Sequence, residues 1–406
     1  MVINGCWREK SLTISAKTSC LTVSLGDSSD AEVYSFDMAG RLWTAMRKMV
    51  AYRRGLDGKV VAKWQDAITG QRERRWLAKL EAVKLETTAR QVITDLLVDL
   101  RAGAVPLSPP ISGDTYRMFE RVAAFDSERY KVDVAQYHQV YRPVGILPPD
   151  QYMSVVLQVT EGCSFNTCTF CTFYRDRPFR IKTVPDFAGH IQAVREFLGD
   201  GMSLRRTIFL GDANALVVPM ARLVPLLETI HSSLDVERLG GLYAFLDGFS
   251  GERKTVDDYR LLAGLGLKRV YIGMESGNPA LLRFLKKPGE PQDAVQAVRQ
   301  MKTAGVSVGV IFLLGAGGKI YSRAHIEDSI QAIQQMGLDA DDLIYFSELI
   351  EREGMQYSRD AFQAGLTPLS SAERIAQGEE IEARLAFDPG RGVPHISRYD
   401  IREFVY

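Results

Sequence analysis

The sequence predicts an α/β fold in which a parallel sheet is covered by helices. Three observations predict it. From about residue 152 onward, six short apolar runs read as strands, at 152–160, 206–210, 239–245, 269–274, 306–314 and 343–349. Between them lie amphipathic stretches of helical period, near 185–199, 219–234, 255–265, 290–304 and 323–336. The glycine-rich and charged tripeptides that could carry chemistry fall directly after the strands, where α/β enzymes place it. Six such βα units can curl into a partial barrel or lie open as a doubly wound sheet.

Residues 1–30 are Ser/Thr-rich and read as a poorly ordered tail, with Cys6 and Cys20 as free thiols within it. Residues 31–150 read as a small N-terminal α+β region with a linker. Its meander has strands at 33–37 and 41–46, joined by Met38-Ala39-Gly40, and a second turn at Gly55-Leu56-Asp57-Gly58. Apolar positions Val92, Ile93, Leu96, Leu97 and Leu100 predict a helix over 86–101, closed by Gly103. A proline-rich connector, a short helix near 115–124 and an extended lead-in at 141–149 follow. The βα core spans 151–350. Residues 351–406 form a C-terminal extension, with a helix near 371–385 and a final strand-like run at 399–406.

The chain has 406 residues and carries 50 basic and 50 acidic side chains, so no global charge points to nucleic acid. No apolar run reaches the roughly 18 residues that a membrane span needs. The start lacks the apolar centre of a signal peptide, and the five cysteines do not form a disulfide framework. A cytoplasmic protein with no membrane partner is expected.

The most specific signal is Glu161-Gly-Cys-Ser-Phe-Asn-Thr-Cys-Thr-Phe-Cys171, with Cys163, Cys168 and Cys171 on one loop after the first core strand. Three close thiolates suit an iron–sulfur cluster. A four-iron cluster held by three cysteines keeps one iron open to a small molecule. Zinc is the alternative, but it takes four ligands, and the nearest histidine, His190, sits 19 residues past Cys171 without a knuckle around it. Inert core cysteines are the third reading. Further along the same rim come Gly211-Asp212 after the second strand and Glu275-Ser276-Gly277 after the fourth. The fifth strand carries Gly309 and runs into Gly315-Ala316-Gly317-Gly318. Asp212 and Glu275 can accept hydrogen bonds from an amine and from ribose hydroxyls, and glycines let a ligand approach. Each could instead be an ordinary turn or helix cap.

Together these residues resemble the radical S-adenosylmethionine superfamily over about residues 150–350. The carriers are the three-cysteine loop, Phe170 before its third cysteine, Gly211-Asp212, Glu275-Ser276-Gly277 and the fifth-strand run Gly309–Gly315. The cysteine loop with RFLKK and LLGAGGK is most similar to the branch of oxygen-independent coproporphyrinogen oxidase and the Elongator catalytic subunit. The spacing here is C-x4-C-x2-C, against the common C-x3-C-x2-C. Coproporphyrinogen oxidases carry a further cysteine where this chain has Phe173, which speaks against haem synthesis.

The resemblance implies a partial (β/α)6 TIM-like barrel with a small N-terminal α+β appendage and a C-terminal extension. It implies a 4Fe–4S cluster on Cys163, Cys168 and Cys171 whose open iron chelates S-adenosylmethionine. A flavodoxin or ferredoxin would supply the electron that cleaves it to methionine and a 5′-deoxyadenosyl radical for hydrogen abstraction. Gly211 and Asp212 would receive the methionine ammonium, and Glu275 and Ser276 would lie near the ribose. Lys287, twelve residues on, would meet the carboxylate, and Gly309 and Ile311 would border the adenine.

The substrate is not legible. A basic run from Arg47 to Lys79, with Trp64 and Trp76 interleaved, holds ten Lys/Arg against three acidic residues. It reads as a solvated face or as an RNA-contacting patch, so tRNA modification is an alternative, and nucleic acid is possible but not favoured. A non-catalytic haem or cluster carrier on the same fold is another alternative. Arg175, Arg177, Arg180 and Lys182, just after the cysteines, could meet an anionic substrate or order the loop.

Overall fold

The structure is a computed structural model and describes residues 1–247, 254–352 and 354–406. The chain divides into two compact units. One holds residues 1–155, 192–206 and 402–406; the other holds 156–191 and 207–401.

The first unit is built on nine strands: β1 (Val2–Trp7), β2 (Lys10–Ala16), β3 (Cys20–Leu25), β4 (Glu32–Asp37), β5 (Leu42–Arg47), β6 (Val50–Arg54), β7 (Val60–Gln65), β8 (Arg72–Trp76) and β9 (Leu107–Ser108). From β1 to β8 each strand pairs antiparallel with its sequence neighbours, and β9 adds to the free side of β1. Three of these strands occupy the segment expected to be a tail. That expectation weighed composition and overlooked period. Leu12 and Ile14, then Leu21, Val23 and Leu25, are buried, while the Ser and Thr between them form the other face of the sheet. Cys20 is buried in β3 and Cys6 is exposed on β1, so neither belongs to a loose tail.

Helix α1 (Lys79–Arg101) starts a full two turns before the expected helix. There Glu81 accepts the Ala78 N–H at 2.8 Å. It buries Leu85, Ala89, Ile93 and Leu96 in one apolar core with Ile3, Ile14, Val23 and Phe36. α2 (Gly113–Ala123) lies where the short helix was expected. α3 (Ser127–Val140) has too sparse an apolar stripe to read from sequence. It is anchored by polar contacts, with Arg41 Nε donating to Asp133 at 2.7 Å and the Tyr130 hydroxyl accepting the Leu42 N–H at 3.0 Å.

The second sheet holds β10 (Ser154–Gln158), β13 (Thr207–Gly211), β14 (Leu242–Leu246), β15 (Leu267–Glu275), β16 (Ser307–Leu314), β17 (Leu343–Glu348) and β18 (His395–Tyr399). A two-residue hairpin of β11 (Thr160–Glu161) and β12 (Arg180–Ile181) stands apart from it. The helices are α4 (Val184–Leu198), α5 (Met220–Ser233), α6 (Val256–Gly264), α7 (Pro279–Phe284), α8 (Pro291–Thr303), α9 (Gly318–Met336), α10 (Gln356–Gln363) and α11 (Ser371–Arg384). The strand order follows the sequence without reversal, and β13 to β18 run parallel. A doubly wound sheet reverses its order at a switch point; this one never does, so it is the partial barrel. Phe209 and Tyr271, two strands apart, still bring their ring centroids to 6.1 Å, as a concave face requires. The final strand-like run expected at 399–406 is shifted. β18 ends at Tyr399, where its register with Ser347 of β17 ends, and a single turn at Ile401–Glu403 follows.

Candidate functional site

Parallel strands bring their C-terminal ends to one edge, where the cysteine loop and Asp212 follow β10 and β13 and Glu275 closes β15. The cysteine loop begins where β10 ends. The β11–β12 ladder, Thr160 opposite Ile181 and Glu161 opposite Arg180, clasps its base. Lys182 Nζ and Arg180 Nη2 both donate to Glu161 Oε1, at 2.5 and 3.0 Å. Gly162 opens the loop with φ +78°, and a Cβ there would come within 2.9 Å of the Pro178 carbonyl, so only glycine fits.

Within the loop the backbone is pinned from several sides. Arg175 donates from Nε to the Cys171 carbonyl at 3.0 Å and from Nη2 to the Cys168 carbonyl at 2.8 Å. Thr169 donates its N–H to the Leu285 carbonyl at 2.9 Å and accepts the Tyr357 N–H at 3.0 Å. Thr167 donates its hydroxyl to the Lys286 carbonyl at 3.1 Å. Phe170 packs in an apolar cluster with Leu281, Leu285, Leu313, Met355 and Tyr357. Arg175 thus orders the loop, one of the two roles its sequence position allowed.

The three thiols share this loop, each partly buried. Burial pushes the Cys168 thiol up to about 12 and that of Cys171 up to about 11. Thiolates at these positions need a compensating cation, as metal ligation supplies. Among the described residues no three His, Cys, Asp or Glu side chains converge on one metal ion. Three thiols on one loop are the donor chemistry of an iron–sulfur cluster. His190, the nearest zinc candidate, has its Nε2 accepting the Gln158 N–H at 3.0 Å. The donor set therefore fits a cluster.

Glu275 and Lys287, twelve residues apart, are brought together, with Lys287 Nζ 3.3 Å from Glu275 Oε1 and both side chains 11 % exposed. Glu275 has φ +64°, in the left-handed region that non-glycine residues seldom adopt. Gly273 leaves room for the pair, because a Cβ there would stand 2.6 Å from Glu275 Oε1 and 3.4 Å from Lys287 Nζ. Burial alone would lower the Lys287 pKa, but Glu275, Cys168 and Asp247 together hold it above its ordinary value. The pair therefore feels the cysteine loop on one side and Asp247, after β14, on the other. Gly309 and Ile311 lie on β16 opposite Tyr271 and Gly273 of β15, and after a register shift Glu275 stands opposite Phe312.

Three expected residues, Ser276, Asp212 and Gly211, hold contacts within the fold. Ser276 is fully buried, and its Oγ lies 2.7 Å from His325 Nδ1 of α9 and accepts the Asn278 N–H at 3.0 Å. It links a strand end to a helix. Asp212 is brought to the loop, but its carboxylate is already engaged: Oδ1 accepts from Gln158 Nε2 at 2.6 Å and Oδ2 accepts the Gly162 N–H at 3.0 Å. The Gly211 carbonyl accepts from Thr160 Oγ1 at 3.4 Å.

Sequence reasoning missed Gln158 and Asp247 and, though it placed Asn214 in the motif after the second strand, gave it no role. Asn214 donates to Ser164 of the loop at 3.3 Å and accepts the Asp247 N–H at 3.1 Å. Gln158 and Asp247 obey the strand-end rule that found the others, one closing β10 and one following β14.

The family model of the radical SAM superfamily matches residues 157–333. A search of curated proteins found no match. Among solved structures the chain is similar to Streptococcus suis SuiB bound to S-adenosylmethionine, at 12 % identity and a TM-score of 0.42, covering 87 % of this chain and 72 % of that one. It is similar to coproporphyrinogen III oxidase of Escherichia coli, a radical SAM enzyme, at 12 % identity and a TM-score of 0.44, covering 64 % of this chain and 56 % of that one. It is also similar to the archaeal Methanocaldococcus infernus Elp3, at 13 % identity and a TM-score of 0.39, covering 60 % of this chain and 56 % of that one.

Proposed function

Residues 157–333 are a radical SAM domain, and on that footing we propose that this chain is an enzyme holding a 4Fe–4S cluster on Cys163, Cys168 and Cys171 and S-adenosylmethionine beside it. Together these groups supply reductive cleavage of S-adenosylmethionine to a 5′-deoxyadenosyl radical that abstracts hydrogen from a substrate. The observation that carries the reading is the clasped three-thiol loop at the same strand edge as the buried Glu275–Lys287 pair.

The chain's residues divide the work. The β11–β12 clasp, Arg175 and Thr169 fix the spacing of the three sulfurs. Lys287 places a cation beside Cys168, where a carboxylate of the bound cofactor could be met. Glu275 offers carboxylate oxygens to hydroxyl groups, and Gly309 and Ile311 of the neighbouring strand would border the adenine. Phe170 and its apolar neighbours shield the loop from water. The reducing electron must come from a one-electron donor of the flavodoxin or ferredoxin kind.

Iron and sulfide analysis after anaerobic reconstitution tests this reading. Wild type should take up about four irons per chain. Cys163→Ala, Cys168→Ala or Cys171→Ala should each lose the iron or hold it loosely, while Cys6→Ser and Cys20→Ser should hold it fully. Full iron in the triple variant Cys163→Ala/Cys168→Ala/Cys171→Ala would remove the loop from the site.

A further inference from the structure

We propose that Arg175 does more than order the cysteine loop: its unpaired positive charge raises the reduction potential of the cluster that the loop holds. The inference rests on the reading of Cys163, Cys168 and Cys171 as cluster ligands. Four cationic side chains follow these cysteines closely, and three of them are paired with acids. Arg180 Nη2 and Lys182 Nζ reach Glu161 Oε1 at 3.0 and 2.5 Å. Arg177 Nε stands 3.4 Å from Asp176 and 3.6 Å from Asp212. Arg175 differs. Its Nε donates to the Cys171 carbonyl at 3.0 Å and its Nη2 to the Cys168 carbonyl at 2.8 Å. Among the described residues no carboxylate pairs with it. Lys287, the other cation that Cys168 feels, is paired with Glu275 at 3.3 Å.

Both carbonyls belong to ligand residues. The Cys168 carbonyl also accepts the Cys171 N–H at 3.2 Å, so the turn between these two cysteines closes on itself. One planar fork then holds both of its ends. An arginine side chain stays charged in proteins, so the fork brings a fixed cation to the backbone of two ligands. Reduction adds one electron, and with it one negative charge, to the cluster. A neighbouring cation stabilises that added charge and moves the couple toward its reduced form. Net charge around a cluster is one of the quantities that set its potential. A donor of the flavodoxin or ferredoxin kind then meets a cluster that is easier to reduce. Arg175 is exposed, so dissolved salt screens its field, and the effect shrinks as ionic strength rises.

Arg175→Gln and Arg175→Lys, reconstituted anaerobically beside wild type, separate the charge from the fork. Glutamine removes the charge and keeps an amide donor; lysine keeps the charge and gives up the fork. Each protein is assayed for iron. Its midpoint potential is then read from the paramagnetic resonance of the cluster at poised potentials, at low and at high salt. Arg175→Gln should move the reduction equilibrium about 3–10-fold toward the oxidised form, a fall of about 30–60 mV for a one-electron couple. That gap from wild type should narrow at high salt. Arg175→Lys should stay within about twofold of wild type, under ~20 mV. A role in loop order alone would shift both variants together. The proposal is overturned by Arg175→Gln at the wild-type potential, by equal shifts in the two variants, or by a glutamine shift indifferent to salt. If Arg175→Gln takes up no iron, Arg175→Lys decides: a potential within twofold supports the proposal, and a larger fall overturns it. Loss of iron from both variants leaves Arg175 with its loop-ordering role alone and overturns the proposal too. Failure of wild type itself to take up iron overturns the cluster reading beneath it.

Discussion

Lys287 and Glu275 show what a single pair contributes at the rim. Each side chain is 11 % exposed, so removing the ammonium leaves a carboxylate buried without its cation. Breaking such a pair costs about 3–5 kcal/mol, whereas replacing both members is often close to neutral. Lys287→Met should therefore lower stability by roughly 3 kcal/mol, and Glu275→Gln/Lys287→Met should recover most of that loss. Denaturant unfolding of the two variants checks this. Equal loss in both would mean that Lys287 acts through packing of its stem and not through charge. The partnership was not read from the sequence, where the resemblance assigned Lys287 to the methionine carboxylate and Glu275 to the ribose. The left-handed turn at Glu275 and the empty Gly273 position that let the two side chains meet are properties of the folded strand end. Ser276 is the opposite case. The resemblance put it near the ribose, and in the structure its hydroxyl lies 2.7 Å from His325 Nδ1.

At the scale of elements, the contact between β15 and α9 carries a pH dependence. His325 is fully buried, and burial pushes its imidazole down to about 4. In the unfolded chain it would protonate near 6.5, so between pH 6.5 and 4 the unfolded state binds a proton that the folded state refuses. Its neutral form therefore imposes no penalty above pH 6.5, and stability falls as pH drops through that window, by up to roughly 3 kcal/mol. The difference in unfolding free energy between wild type and His325→Gln, measured at pH 7 and pH 4.5, should shift toward the variant at the lower pH. A constant difference would show that the site opens to admit the proton. The six sheet strands of the 151–350 core and its five longer helices were legible because apolar period and length agree there, as at 306–314 against β16, whereas the six-residue α7 was too short to read. The first three strands were not, because Leu12, Ile14, Leu21, Val23 and Leu25 alternate with hydroxyl residues whose composition resembles a linker. α3 was hidden because Asp133 and Tyr130 hold it by polar bonds that leave no apolar stripe.

For the whole molecule, the basic run at 47–79 bears on substrate class. Arg54 is buried against Glu86 at 2.5 Å, Arg75 pairs with Glu81 at 2.7 Å, and Lys63 and Arg74 share Glu403 at 2.9 and 3.2 Å. Charges neutralised within the fold release few counterions from a nucleic acid. Bulk tRNA should accordingly bind weakly at physiological salt, with a shallow dependence on salt concentration; a steep slope would signal many phosphate contacts and favour an RNA substrate. No helix among the described residues is long and apolar enough to cross a membrane. The proposed chemistry rests on the clasped loop of Cys163, Cys168 and Cys171 and the buried pair of Glu275 and Lys287. The most direct test is incubation of the anaerobically reconstituted protein with S-adenosylmethionine and dithionite, reading out 5′-deoxyadenosine. The nucleoside should form with wild type and be absent with Cys168→Ala. A wild-type protein that holds its iron but releases no 5′-deoxyadenosine, with methionine also absent, would contradict the account.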